Sequence, residues 1–352
     1  MTIQQIETTI RTRPYPNCYL CSTLGEALYQ NLQDCLFGAP GEWNLKKCPN
    51  PECGLVWLDP MPIEEDIHKA YQNYYTHQDA EATFLTDTSW IRQVIQFLNK
   101  GYLAGRYNYY ANSTSRLQKL LGLLIYFSYF RKSSLDSSVI YIPACPQGSL
   151  LDVGCGNGQF LQNMKNLGWE VKGVEIDERA VTTARKILGL DVISGTLENA
   201  QFPDNFFDVV TLRHVIEHVY DPINFLRECR RVLKPGGKLV LLTPNITSFC
   251  HKMFKQSWRG VEAPRHLMLF SLPTLEACAR KAHFDTVVIN STSRSAAYIY
   301  SESKSTKDGR EEKNVIFIKI RKSESRVFQI LEDIGRVFFP CGEEVYFVGL
   351  KK

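Results

Sequence analysis

The stretch LLDVGCGNGQF, Leu150–Phe160, decides how the rest of the chain is read. Its apolar beginning, from Ser149 to Val153, has the make-up of a buried strand. Glycines then stand at 154, 156 and 158, and the following QFLQNMKNLG has helical spacing. Strand, glycine turn and helix is how a parallel α/β sheet aims backbone N–H groups at a nucleotide. A second apolar strand, Glu170–Ile176, sets Glu175 about 20 residues beyond the glycines, where a carboxylate suits the two hydroxyls of a ribose.

The pattern continues downstream. WEVKGVEI predicts the second strand and DERAVTTARKILG a helix with Asp177 near its start. DVISG is a short third strand, and FFDVVTL the fourth. HVIEHVYDPINFLRECRRVLKPGG reads as a helix that Pro235 and two glycines end, and KLVLLTP as the fifth strand. PTLEACARKAHF predicts a helix and DTVVINST the sixth strand. NVIFIKI, 314–320, fits either a strand or the buried face of a helix; SRVFQILEDIGRVFF reads as helix and EEVYFVGLKK as the last strand. Strand–helix alternation with short links means a parallel sheet covered on both faces, with ligands at the carboxyl ends of its strands.

Toward the N-terminus, Cys18 and Cys21 form a CxxC, and Cys48 and Cys53 a wider CPNPEC. Two thiolate pairs with 26 residues between them can close a tetrahedral sulfur site on structural zinc. Buried or unpaired thiols and an iron–sulfur centre are the alternatives. Cys35 lies between the pairs as a spectator. The polar intervening segment has little core, so a metal would supply folding energy.

Between this module and the glycine stretch, MPIEEDIHKAYQNYYTHQDA predicts a helix opening after Pro62, carrying an aromatic group of Tyr71, Tyr74, Tyr75 and His77. These either pack between modules or line an entrance, with Tyr75 as the substrate-binding candidate. WIRQVIQFLNKGYLAGRY predicts a second helix. LQKLLGLLIYFSYF, Leu117–Phe130, is too short and interrupted to span a bilayer. It suits a buried helix, a lid over an apolar substrate, or an interfacial helix making peripheral membrane contact.

DVGCGNG, GVEID, the TLENAQFP segment, FDVVTLRHVIEHVYDP and VLKPGG together resemble class I S-adenosylmethionine-dependent methyltransferases, over about residues 149–349. A glycine turn alone would equally suit a nicotinamide or flavin nucleotide. Here the glycines follow D-V-G-C-G-N-G, and four further segments agree in order. The resemblance implies a Rossmann-like α/β sheet, mainly parallel, with an antiparallel last strand beside the sixth. It implies S-adenosylmethionine as cofactor, its methionine portion held by Asp152 and the turn of Gly154, Cys155, Gly156 and Gly158. Glu175 would take the ribose, Ile176 and Asp177 would flank the adenine, and Leu197 and Glu198 would close over its edge. Arg213 and His214 would face the sulfonium, with His218 one helical turn on.

The insertion TPNITSFCHKMFKQSWRGVEAPRHLMLFSLPTL gathers Trp258, Arg259, Glu262, Arg265 and His266 within nine residues. They form either a salt-linked surface loop or an acceptor-anchoring set, with Trp258, Arg259 and Arg265 binding substrate. His266 and His214 are the candidate catalytic bases. The WRG…PRHLxLFS pattern also resembles a widespread group of uncharacterised methyltransferases, many with a cysteine-rich N-terminal segment.

The expected organisation is a zinc-binding module at 1–60, a helical cap at 61–148, and a methyltransferase domain at 149–352 with the acceptor-side insertion at 243–272. With 41 basic and 37 acidic residues there is no strong nucleic-acid signal, and the start MTIQQIETTIRTRPYP lacks the apolar segment of a secretion signal. Eleven cysteines in a chain of this length fit a cytoplasmic protein with free thiols. The expected acceptor is a small molecule, either a sugar, a lipid-linked intermediate or a secondary metabolite. RNA or protein methylation through the zinc module, and non-catalytic cofactor binding, are the competing readings.

Overall fold

The computed structural model describes residues 9–72, 90–309, 315–336 and 338–352, and side chains of all of these except 315–322. Tyr74, Tyr75 and His77 lie outside the described residues. Two compact units emerge, one of residues 1–75 with 212–352, the other of residues 76–211. This differs from the three consecutive segments expected. The reason lies in the strand pairing of the N-terminal module, described below.

The module begins with β1 (Thr12–Arg13), β2 (Glu26–Leu32), β3 (Trp43–Lys47), β4 (Val56–Leu58) and β5 (Met61–Pro62). β2, β3 and β4 form an antiparallel meander, and β1 pairs with β5. Trp43, Leu45, Trp57 and Leu58 are fully buried, and the Trp57 indole donates to the Tyr15 carbonyl at 2.7 Å. The module therefore has a small core, contrary to its polar appearance. Within its described part, up to residue 72, the helix expected after Pro62 is a 3-10 turn, Ile67–Tyr71. Met61 and Pro62 are committed to pairing with β1. Asp66 accepts the backbone and guanidinium N–H groups of Arg11, which holds the segment in a turn.

The second unit opens with α1 (Trp90–Tyr107), α2 (Arg116–Gly122), a 3-10 turn at Leu123–Phe127, and α3 (Tyr129–Ser138). Leu117–Phe130 is thus broken into short pieces, and most of its large apolar side chains are exposed, which rules out the buried-helix reading. Then come β6 (Ser149–Val153), α4 (Gln159–Asn166), β7 (Glu170–Glu175), α5 (Glu178–Lys186), β8 (Val192–Ser194) and β9 (Phe207–Arg213). β6 is buried along its whole length, as a central parallel strand must be. α4 buries Phe160, Leu161 and Met164 at helical spacing. α5 is capped by Asp177, whose carboxylate accepts the Arg179 N–H at 2.9 Å.

The first unit resumes after β9. No helix starts at His214; its backbone has a left-handed φ of 57°, and a 3-10 turn at Ile216–His218 follows. α6 (Pro222–Val232) begins only where Asp221 caps Asn224 and proline takes the first helical position. β10 (Leu233–Pro244), α7 (Phe249–Phe254), β11 (Met268–Leu269), α8 (Leu272–Lys281), β12 (Asp285–Thr292), α9 (Ala296–Asp308), α10 (Val315–Gly335) and β13 (Glu344–Leu350) complete it. NVIFIKI is resolved in favour of helix.

The seven-stranded sheet has the order β12-β13-β10-β9-β6-β7-β8. β6, β7 and β8 pair in parallel, whereas β13 runs antiparallel to both β10 and β12. It is the mainly parallel sheet with an antiparallel last strand that was expected. β11 pairs antiparallel with β4, extending the module's sheet to four strands. The insertion after β10 and the cysteine-rich module therefore belong to one unit.

Candidate active site

The second unit holds the glycine turn. Gly154, Gly156 and Gly158 all take positive φ, at 70°, 55° and 82°. At Gly158 a Cβ would lie 2.5 Å from the Leu190 side chain, so only glycine lets α4 start this close to α5. At Gly156 a Cβ would meet nothing within 4 Å, leaving open space over the turn. Glu175 ties this turn to the end of β7. Its Oε2 accepts the Gly156 N–H at 2.7 Å, and its Oε1 accepts the N–H groups of Ile176 and Asp177 at 2.9 and 3.0 Å. Burial raises its pKa, and these three N–H groups offset part of the rise. A carboxylate has about four lone-pair sites, so roughly one stays open for a ribose hydroxyl.

Around it, Asp152 is fully buried and its Oδ1 accepts the Thr211 hydroxyl at 2.6 Å. Cys155 is buried, Ile176 is 66% exposed, Leu197 is buried and Glu198 is exposed. The exposed isoleucine beside the carboxylate suits an adenine face. Asp177 spends its carboxylate on the α5 cap.

In the first unit a buried ionic cluster forms where sequence placed separate candidates. His214 lies between two carboxylates, its Nε2 2.7 Å from Glu344 Oε1 and its Nδ1 3.3 Å from Glu217 Oε1. Burial alone would lower its pKa, but Glu217 and Glu344 outweigh that and raise it to about 9. Glu217 and Glu344 are both lowered to about 2, burial being overcome at Glu217 chiefly by the His214 hydrogen bond and at Glu344 by Arg294 and His214. An imidazolium cannot accept a proton, so this geometry favours a fixed cation at His214 over a base. Arg213 closes β9, half-buried.

His218 and His266 have the opposite character. A carbonyl can only accept, so the contact of His218 Nδ1 with the Arg265 carbonyl at 2.9 Å places a proton on Nδ1. The same holds for His266 Nδ1 and the Gly260 carbonyl at 2.7 Å. In a neutral ring so placed the lone pair stands on Nε2. Burial lowers the His266 pKa to about 4, so the ring is neutral. The rings meet edge to face at 4.9 Å, and the Tyr71 hydroxyl lies 3.1 Å from His218 Nδ1. Glu217 Oε2 accepts the Thr243 hydroxyl, while its buried Oε1 faces His214 Nδ1 at 3.3 Å. One ligand atom from each of Glu217, His218 and His266 lies within 4.8 Å of the others. Such a convergence of acceptors calls for a proton, a hydroxyl or a cation between them.

The residues expected to anchor an acceptor are otherwise engaged. Trp258 is buried and donates its indole N–H to Glu343 at 2.9 Å. Arg259 is buried in an ion pair with Glu262. Arg265, with no exposed surface, pairs with Asp34 at 2.7 Å and Glu262 at 2.9 Å and lies over the Phe37 ring. In this structure all three serve as internal struts, and the segment is not the surface loop that was the alternative. The loop is salt-linked but buried. Tyr71, Glu217 and Glu344 were not singled out as site residues. Tyr71 stood in the aromatic group, Glu217 stood between two histidines, and Glu344 carried no signal.

The four module cysteines converge too, all Sγ atoms lying within 4.8 Å of one another. Cys18 and Cys53 are 3.5 Å apart, and Cys21 and Cys48 3.4 Å. A tetrahedron of Zn–S bonds of about 2.3 Å has edges of about 3.8 Å, whereas a disulfide needs about 2.0 Å. The set fits a metal ion and not a disulfide. The five-residue step from Cys48 to Cys53 closes through N–H bonds of Cys53 and Gly54 to the Asn50 carbonyl.

An α/β sheet with a glycine turn and an acidic second strand defines a nucleotide-type binding unit. Residues 125–288 match the methyltransferase domain family. The chain is 40% identical over 101 residues to a ubiquinone biosynthesis O-methyltransferase of Cereibacter sphaeroides, covering 27% of this chain and 41% of the relative. It is 39% identical over 102 residues to the mitochondrial ubiquinone biosynthesis O-methyltransferase of Schizosaccharomyces pombe, covering 27% and 37%. The chain thus spans about two fifths of the length of these relatives. Among solved structures, an S-adenosylmethionine-dependent methyltransferase of Mesorhizobium loti is 14% identical with a TM-score of 0.44, covering 62% of this chain and 98% of the other. Residues 125–288 are thus similar to methyltransferase domains.

Proposed function

We propose that this chain transfers a methyl group from S-adenosylmethionine to an oxygen or acidified carbon of a small-molecule acceptor. Methyl transfer from a sulfonium is an in-line displacement whose leaving group is already activated. The protein has to align the partners, exclude water and take up the proton that the acceptor releases. In this reading the glycine turn and Glu175 hold the donor, Ile176 lies against its adenine, and His218 or His266 receives the proton beside Glu217.

The observation that carries the reading is the convergence of Glu217, His218 and His266, one ligand atom of each lying within 4.8 Å of the others. An acceptor hydroxyl can donate its one hydrogen to either imidazole, and proton transfer to that ring leaves a charge that Glu217 stabilises. The names of the matched Cereibacter and Schizosaccharomyces relatives refer to O-methylation, which supports oxygen as the target. Against a macromolecular substrate, Lys46, one of two lysines between the cysteine pairs, is spent on Asp59 at 2.7 Å. We assign structural zinc to Cys18, Cys21, Cys48 and Cys53, whose closed sulfur shell leaves no position for substrate.

The test is turnover of candidate hydroxylated acceptors with His218→Ala and His266→Ala, together with metal analysis of Cys18→Ser. Lost turnover with intact S-adenosylhomocysteine affinity supports the base assignment. Zinc retained when Cys18 and Cys21 are both replaced by Ser, and lost on His218→Ala, would place an ion on Glu217, His218 and His266 and replace the base by a Lewis acid.

A further inference from the structure

Residues 90–138, within the second unit, are built inside out. The polar groups are inside. Asp136, 1% exposed, accepts the hydroxyls of Tyr102 and Tyr107 at 2.6 and 2.7 Å and pairs with Lys132 at 2.9 Å. Buried Gln118 donates to the Phe97 carbonyl at 3.0 Å. The crossing of α1 and α2 is made by glycines: a Cβ on Gly101 would lie 2.1 Å from the Gln118 carbonyl oxygen, and one on Gly122 2.3 Å from the Tyr102 nitrogen. The hairpin is therefore held by backbone contact, an internal polar network and a few buried apolar side chains such as Leu103, Ala104 and Ile125, without the leucines of α2 and the turn after it.

Those leucines face outward. Leu117, Leu120, Leu123 and Leu124 are each at least half exposed, and Phe127 is 89% exposed. On α1, Trp90, Ile91, Val94 and Phe97 make a second exposed apolar face at helical spacing. Exposure of this size in a rigid segment marks a surface with a partner.

Charge indicates which partner. Residues 90–138 contain seven Lys and Arg against a single acid, the buried Asp136, in a chain whose total is only +4. The remainder of the chain is thus net negative, and the basic excess is confined to the segment that exposes the apolar side chains. Arg92, Arg116 and Lys119 are interspersed with those side chains along α1 and α2. Leucine and aromatic groups with a basic rim and no exposed acid match the interface of an anionic bilayer, where apolar side chains enter the acyl boundary and cations meet headgroups. No described helix is long and apolar enough to cross a membrane, so the contact is at the surface.

We propose that the α1–α2 hairpin and the turn at Leu123–Phe127 dock this protein on an anionic lipid surface. The inference stands apart from the methyl-transfer reading, because it rests on a surface that takes no part in donor binding or proton transfer. The experiment is co-sedimentation of the full chain with vesicles of phosphatidylcholine alone or with about one third phosphatidylglycerol, at two salt concentrations. Binding to the anionic vesicles is expected to be about tenfold tighter or more and to weaken with salt. Leu124→Ser with Phe127→Ser should lower it about tenfold or more on both vesicle types. Arg116→Glu with Lys119→Glu should lower it only on anionic ones. Unfolding temperature and S-adenosylhomocysteine affinity should stay at wild-type values in both variants. Absence of binding to anionic vesicles, or binding that Leu124→Ser/Phe127→Ser leaves unchanged, overturns the proposal. So does a lipid-free dimer that this variant dissociates, which would assign the face to a second copy of the chain.

Discussion

The glycine turn and the histidine–carboxylate cluster are assembled in opposite ways. The turn is local: within 27 residues, 149–175, one strand, three left-handed glycines, one helix and one carboxylate make the whole device. The cluster is remote: Tyr71, Glu217 with His218, His266 and Glu344 come from four places, and buried Arg265 ties the last loop to Asp34 of the cysteine module. A local device depends on backbone geometry that its own residues impose. A remote one depends on every element that carries its parts, so it should fail when a distant support is removed.

Four experiments press on that contrast. The largest effect is expected from the metal. Zinc removal by chelation, or Cys18→Ser, should release about one zinc per chain and unravel the module, since a structural zinc contributes on the order of 10 kcal/mol to folding its domain. Turnover should vanish because β11 and Arg265 lose their supports, while S-adenosylhomocysteine affinity stays within about threefold, a margin under 1 kcal/mol. A metal-free protein of equal stability would sink the zinc assignment. Next, His218→Ala or His266→Ala should cut turnover about 10²–10⁴-fold, the usual share of a general base, with cofactor affinity unchanged. Calorimetric titration would expose the opposite result.

Glu175→Ala should weaken S-adenosylhomocysteine binding about 100-fold, because it removes charge-assisted acceptors and strands the Gly156, Ile176 and Asp177 N–H groups. Glu175→Gln keeps one acceptor oxygen and should lose about tenfold. Equal affinity in both variants would remove Glu175 from the donor site. The smallest effect is on stability. His214 has its pKa raised to about 9 by Glu217 and Glu344, opposed by burial. A raised histidine contributes fully below about pH 6.5, and its contribution is lost as pH rises through 9. With the ring 39% exposed, the loss is on the order of 1 kcal/mol. Thermal unfolding between pH 6.5 and 9 should therefore decline more for the wild type than for His214→Gln.

Legibility followed the same division. Residues 152–177 could be read because DVGCGNG and GVEID encode φ angles and strand ends directly, and the structure places the turn, α4 and α5 where they were expected. At His214–Val219 the helical reading failed, since the apolar spacing of HVIEHV is also that of a buried turn and the true cap, Asp221–Pro222, lies later. In the insertion the residue types were found but their roles were inverted. Arg259, Arg265 and Trp258 looked like exposed ligands because sequence carries no record of Glu262, Asp34 and Glu343 lying against them. The leucines at 117–124 erred the other way, looking buried although glycines and Asp136 already hold their hairpin.

What the sequence by itself determined is the α/β sheet, its order of elements, the glycine turn and the two cysteine pairs, all set by short-range spacing and backbone preference. Only the tertiary structure decided which histidine is charged and which is neutral, because that depends on carboxylates and carbonyls more than 100 residues away in some cases, such as Glu344 beside His214. It also decided which apolar side chains face solvent. Burial is a property of what packs against a residue, and no periodicity within a helix states what its neighbours already satisfy.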